Sequence, residues 1–263
     1  MSSFSPENPV LLKPDETLDA WGKGLVQIIQ KKSGYRFSID SLILFDFIRV
    51  SDQVNIFDLG TGCGILALLL AKTCPLSRIT ALELSSELLD LARRNILLNT
   101  FQEQIKLLRG DLCQLPRFLK QGAFNVVVSN PPYRPLQSGR INPNPQKAMA
   151  RHEIRLTLTN LLQAVAHALK PKGKWFVIYP AWRLVSLLTQ SRAHKLEPKK
   201  IRLVHSFPHK PAEWVLMEAV YQGREELAIL PPLIVYQEPG IYSHQLQKSR
   251  LFDLPPPPQP STL

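Results

Sequence analysis

From residue 54 onward, short runs of apolar and β-branched residues alternate with longer stretches whose apolar positions recur three and four apart. The short runs 54–59, 78–83, 105–110, 124–129 and 175–179 predict strands, each followed within a few residues by turn chemistry. The longer stretches 65–72, 87–98, 154–169 and 182–194 predict helices. A helix between successive strands makes each connection a crossover, so the strands run mainly parallel in a sheet covered on both faces. Two later runs, 199–205 and 214–221, are connected too closely for a crossover and suit an antiparallel addition at the sheet edge. The expectation is an α/β fold: a mainly parallel seven-stranded sheet with an antiparallel edge strand and helices on both faces. Open sheets of this kind take their ligands beyond the carboxyl ends of the strands.

Outside this alternation, residues 1–50 predict an N-terminal appendage packing on the core, with one helix over 41–50 capped by Asp40 or Ser38. Residues 51–245 are expected to form the main domain, and 246–263 a Pro-rich disordered tail. Proline offers no backbone donor, so the run Pro255 to Pro258 is expected to stay extended and solvated.

With 44% apolar residues in 263, the chain can build a substantial core, which excludes a disordered polymer. No apolar run approaches the roughly 18 residues of a membrane span, and the polar start lacks the apolar stretch of a secretory signal. A cytoplasmic protein is the expectation. Cys63, Cys74 and Cys113 form no closely spaced pair, and the histidines show no ligand spacing, so neither a disulfide framework nor a metal site is expected.

The formal charge of +11 is unevenly spread. Residues 134–210 carry 15 Lys and Arg against 2 Asp and Glu, whereas residues 1–133 are nearly balanced at 14 against 13. Such a block is the footprint of a polyanion-binding face, because neutralised phosphates release counterions.

Chemistry enters at Asp58-Leu59-Gly60-Thr61-Gly62-Cys63-Gly64, which follows the first strong strand and opens a helix. Glycine at every second position lets the loop lie flat against a ligand. The spacing is not that of a pyrophosphate or triphosphate loop, and Asp58 before the turn would repel such an anion while suiting a cation. Glu83 ends the second strand, where a carboxylate can accept from both ribose hydroxyls, with Leu84 beside it. Asp111 and Leu112 follow the third strand, and Asp111 can accept from an adenine amine. Acids at three successive strand ends describe a neutral-to-cationic nucleoside, and the set resembles the S-adenosylmethionine site of Rossmann-like methyltransferases. Cys63 is expected to fill space in the loop, since nothing nearby would lower its pKa.

Asn130-Pro131-Pro132-Tyr133 closes the fourth strand. A conjugated amine is a poor nucleophile until its lone pair is drawn out of the ring. The Asn130 side-chain oxygen and the Pro131 carbonyl can take the two amine hydrogens, the prolines stiffen the turn, and Tyr133 can stack on the target ring. Asn130 also borders the expected cofactor site.

These motifs, with Gly34-Tyr35-Arg36-Phe37-Ser38-Ile39-Asp40, the run 138–143 and the stretch Lys147 to Glu153, are similar to the bacterial tRNA(Val) adenine N6-methyltransferase family. The likeness covers about residues 15–245, including Leu230-Pro231-Pro232-Leu233-Ile234-Val235-Tyr236. It implies a Rossmann-like class I methyltransferase acting on the N6 amine of an adenosine beside the anticodon, with Asn130 to Tyr133 holding the amine. The NPPY motif is shared with DNA adenine methyltransferases and with enzymes that methylate a glutamine amide of release factors.

Arg134, Arg140, Lys147 and Arg151 lie directly after the motif and can meet RNA phosphates, a surface that Lys199, Lys200 and Arg202 would extend. A single-stranded loop suits a base that must be splayed into a pocket. The expected partner is tRNA, through its anticodon stem-loop, met by a monomer. Two other readings stand beside this one. A protein glutamine N5-methyltransferase explains the motif but leaves the basic block idle, and a noncatalytic RNA-binding protein with a retained cofactor pocket leaves the acceptor motif idle. Whether Asp40 touches the cofactor or only caps its helix is open at this level.

Overall fold

The structure is a computed structural model, and it describes residues 12–21, 24–33, 36–131 and 157–249. Two strands that the pattern of apolar positions does not announce open the chain, β1 (Glu16–Trp21) and β2 (Val26–Lys31), paired antiparallel with Trp21 opposite Val26. Helix α1 (Ile39–Phe47) follows, starting two residues earlier and ending three earlier than expected. Ser38 occupies its N-cap, but the hydroxyl donates to Asp40 Oδ2 at 2.6 Å instead of capping a backbone N–H, and Asp40 stands inside the first turn.

The alternation then runs as β3 (Asn55–Leu59), α2 (Ile65–Thr73), β4 (Arg78–Glu83), α3 (Ser86–Leu98), β5 (Ile105–Arg109) and β6 (Phe124–Ser129). After a segment outside the described residues come α4 (Leu158–Ala168), β7 (Leu169–Pro180), α5 (Leu184–Ala193), β8 (Leu196–His205) and β9 (Ala212–Tyr221). Short strands β10 (Ala228–Ile229), β11 (Leu233–Ile234), β12 (Tyr236–Glu238) and β13 (Ile241–Tyr242) and helix α6 (His244–Gln247) complete the described chain. Helix α6 runs across the expected 245/246 boundary and buries Leu246. The rest of the expected tail, from residue 250, lies outside the described residues.

The long strands stand in the order β8-β9-β7-β6-β3-β4-β5, with β3 to β7 parallel, and β10 and β11 both pair alongside β8. The mainly parallel, helix-covered sheet is therefore as expected. One placement differs: the antiparallel strand β9 lies between β7 and β8, one position in from the edge. Its run Val215 to Ala219 is buried without a break, which only a strand flanked on both sides and covered on both faces can satisfy, whereas β8 is only intermittently buried and takes the flank.

Alternate residues of the strands feed two cores. Ile56, Val128, Phe176 and Ile178 pack with α1, α2 and α3 on one face, while Phe57, Val127, Trp175 and Val177 pack with α4 and neighbours on the other. The N-terminal pair shares the first core through Val26, Ile28 and Ile29. Its outer edge is sealed by two side chains of α3. Asn95 accepts from Ile29 N–H at 2.6 Å and donates to Ile29 C=O at 3.1 Å, and Asn99 repeats the exchange with Gln27 at 2.8 and 2.6 Å. Residues four apart on a helix thus pair with alternate residues of a strand, so β2 ends the small sheet without an exposed ladder. Arg94 adds a two-pronged bond to the buried carboxylate of Glu16, at 2.7 and 2.6 Å, which holds that carboxyl below its usual range. No helix among the described residues is long and apolar enough to cross a membrane.

Candidate active site

The strands deliver the expected site residues to one edge, at their carboxyl ends. Asp58 is the fourth residue of β3 and is wholly buried. The chain then turns through Gly60, Thr61, Gly62, Cys63 and Gly64, with φ of +84°, +58° and +92° at the three glycines, a region closed to most side chains. Nothing lies within 4 Å of where a Cβ on Gly60 would sit, so the space above the loop is open. Beneath it, Asp58 Oδ2 accepts from the Thr61 hydroxyl at 2.6 Å, and Oδ1 is buried without a hydrogen-bond partner. Burial, partly offset by the Thr61 bond and reinforced by the Glu83 charge, pushes the Asp58 carboxyl up to about 7.

Glu83 ends β4 and meets the same loop. Its Oε2 accepts from Gly62 N–H at 2.9 Å, and its Oε1 accepts from Leu84 and Ser85 N–H at 2.9 and 2.8 Å. Asp111 follows β5, accepts from Cys113 N–H at 2.9 Å and so caps the short 3-10 helix that Leu112 begins. Gly110 before it is required by close packing, since a Cβ there would meet Phe118 at 2.7 Å. Cys63 is buried, its thiol pushed up to about 12 by that burial, and its carbonyl is held by Asn95 at 2.9 Å. The cysteine is spatial filling, as expected, and Asn95 ties the loop to β2. The donor set fits a nucleoside with a positive centre: an open glycine loop above a buried acid, with carboxylates at the two neighbouring strand ends.

Asn130 follows β6, and Val128 pairs with Asp58 in register, so Asn130 leaves the sheet at the same edge as the glycine loop. Two bonds fix this strand end. The Trp175 indole donates to the buried Ser129 hydroxyl at 3.0 Å, and the Asn130 amide nitrogen donates to the Ser41 hydroxyl on α1 at 2.9 Å. This bond ties the Asn130 side chain to α1. Pro131 is buried. Pro132, Tyr133, Arg134, Arg140, Lys147 and Arg151 lie outside the described residues.

Lys199, Lys200 and Arg202 are not brought to this edge. They stand mid-strand on β8, at the far flank of the sheet, where Lys199 pairs with Glu226 at 3.7 Å and Lys200 with Glu218 at 3.2 Å. Asp40 precedes Ser41 on α1, and its carboxyl is raised by burial, offset by the Ser38 bond and reinforced by Glu213. Ser41 and Asn95 were missed because each acts through a partner far away in sequence, 89 and 66 residues respectively. Among the described residues no group of His, Cys, Asp or Glu is arranged to hold a metal.

Comparison with known proteins adds three findings. The family model of the methyltransferase small domain matches residues 33–191. A Porphyromonas gingivalis protein named tRNA1(Val) (adenine(37)-N6)-methyltransferase is 30% identical over 190 residues, covering 71% of this chain and 74% of that one. A Flavobacteriaceae protein of the same name is 32% identical over 84% of this chain and 91% of its own length. Among solved structures, a predicted O-methyltransferase from Agrobacterium tumefaciens superposes with a TM-score of 0.64 at 20% identity, over 79% of this chain and 93% of that one, a likeness of fold.

Proposed function

Because the chain belongs to the methyltransferase small domain family and, within it, to the tRNA1(Val) (adenine(37)-N6)-methyltransferases, we propose that it methylates the N6 amine of an adenosine in tRNA, beside the anticodon of tRNA(Val). S-adenosylmethionine, the donor that family and fold imply, supplies when bound an electrophilic methyl on a sulfonium. Asp58, Gly60, Thr61, Gly62, Cys63, Gly64, Glu83, Leu84, Asp111 and Leu112 would line its site. The negative field of Asp58 and Glu83 favours the positive centre, and Glu83 shares its oxygens between backbone N–H groups and a ribose diol.

The single observation that carries the reading is that Asn130 leaves β6 at the same edge where β3 passes into the glycine loop, with its side chain bonded to Ser41. Asn130 Oδ1 and the Pro131 carbonyl accept the two hydrogens of the target amine and turn its lone pair toward the glycine loop. Because Ser129, Asn130 and Ser41 are bonded in advance, the acceptors need no rearrangement at the moment of attack. The attack needs no general base, since the amine proton becomes acidic once the nitrogen is alkylated. Arg134, Arg140, Lys147 and Arg151, immediately downstream of the turn in sequence, would meet the phosphates.

Transfer of labelled methyl to unmodified tRNA(Val) tests this, with Asn130→Ala as comparison. Loss of a preorganised acceptor is expected to lower kcat by about 10²–10³ with the cofactor Kd unmoved. Equal labelling by both proteins would remove the amine clamp, and label released by protease instead of ribonuclease would assign a protein substrate.

A further inference from the structure

The loop 206–211 joins β8 to β9 at the edge of the sheet that carries Asn130, and a run of four rings stands there. Tyr242 and Tyr236 face each other across the β12–β13 pair at 5.4 Å between centroids and 17° between planes. Phe207 continues the run 5.6 Å from Tyr236 at 37°, and His209 lies 5.8 Å from Phe207 at 24°. The inner rings are anchored: Tyr236 and Tyr242 pack on the core, and Tyr236 N–H bonds to Ser206 C=O at 2.9 Å. His209 is exposed, so the run ends in solvent.

We propose that His209, backed by Phe207, Tyr236 and Tyr242, is a stacking platform for an unpaired nucleobase adjoining the target adenosine. This deepens the RNA reading above and rests on it. Three observations point to a base in particular. First, the β8–β9 loop that carries Phe207 and His209 leaves the sheet at the same edge as Asn130. Second, the acids nearest the rings, Asp40 and Glu213, would repel a phosphate lying against them, while a neutral base face is unaffected. Third, the exposed Lys210 follows His209 directly in the chain, a cation for the sugar-phosphate chain of a stacked base, and His205 Nδ1 lies 2.8 Å from the Lys210 carbonyl, holding the loop in shape. Single-stranded RNA is commonly held in this way, because every base presents a π face.

The test uses the full chain and an anticodon stem-loop carrying 2-aminopurine next to the target adenosine. Wild type and His209→Trp are expected to quench the probe. His209→Ala is expected to lose the quench and to raise the Kd for the stem-loop, and the KM for tRNA, about tenfold, which is about 1.4 kcal/mol. The Kd for S-adenosylmethionine and kcat at saturating tRNA stay unchanged. An unaltered Kd in His209→Ala overturns the platform, as does a His209→Lys variant that restores binding as well as Trp, because charge and not a ring would then be at work. Failure of the wild type itself to methylate tRNA would overturn the parent reading instead, so the two failures are distinct.

Discussion

The carboxyl edge of the sheet has two unlike halves that meet at the seam between β3 and β6. On β3, β4 and β5 it presents Asp58, Glu83 and Asp111, all acids, around a loop of bare backbone. On β7, β9 and β8 it presents mostly rings and bases, with Glu213 as an acid among them. Trp182 is 71% exposed after β7, Arg183 lies 5.6 Å from its ring and 5.4 Å from that of Tyr179, and Phe207, His209 and Lys210 follow after β8. An acidic, glycine-lined half suits a compact cation, and an aromatic, basic half suits flat bases on a polyanion. Two ligands of opposite charge are thereby sorted to opposite sides, and Asn130 stands where they would meet.

Substitutions at five positions probe that division, in falling order of effect. Asn95→Leu should do most, because Ile29 N–H, Ile29 C=O and the Cys63 carbonyl would be left buried without their partner. At about 1–3 kcal/mol for each stranded group, urea unfolding should show a loss of about 3 kcal/mol or more, and a loss under 1 kcal/mol would mean that the loop is held some other way. The acidic half should next reveal itself through pH. With the Asp58 carboxyl near 7 in the ligand-free protein, cofactor affinity measured by calorimetry should weaken as pH falls from 8 to 6, by about tenfold over that whole range. Since that pKa is raised above its unfolded value, stability from Asp58 is full below 3.8 and is lost as pH rises through about 7. Ligand-free Asp58→Asn should therefore melt at or above wild type at pH 8, and its cofactor affinity should be flat with pH.

At the seam, Ser41→Ala should lower kcat about fivefold with KM for both substrates held, and Ser41→Thr should restore it, since only the hydroxyl that orients Asn130 is at stake. A change in KM alone would place Ser41 in binding. The smallest effect is expected far along the basic half. Lys199→Ala and Lys200→Ala should change the affinity for tRNA by about twofold or less and leave its salt dependence nearly intact, because both are engaged by glutamates away from the site edge. A salt slope reduced by about one for either lysine would extend the RNA surface across β8.

Much of this layout is legible in the sequence, for a physical reason that also marks where legibility stops. Strands buried on both faces must be largely apolar, so β3, β4, β6 and the later part of β7 stand out, and turns with special backbone demands advertise themselves through glycine and proline. The β1–β2 pair has no such signature. The buried position of β1 is Glu16, neutralised by Arg94, while Leu18 is 50% exposed, so polarity in that strand runs opposite to the usual alternation. Likewise, Lys199, Lys200 and Arg202 look like a cationic surface when counted, but strand register hands Lys200 to Glu218 and the segment after β9 brings Glu226 to Lys199, acids that no local window contains. The aromatic run is assembled from three separate segments and is visible only once they are folded together.

The seal that α3 places on β2 also bears on how the nascent chain matures. Strand β2 leaves the ribosome 66 residues ahead of the asparagine that will close its border, and the cofactor loop waits on that same asparagine. During this interval a bare ladder is exposed to neighbouring chains, so synthesis that stalls between the two should favour aggregates seeded by the first hairpin.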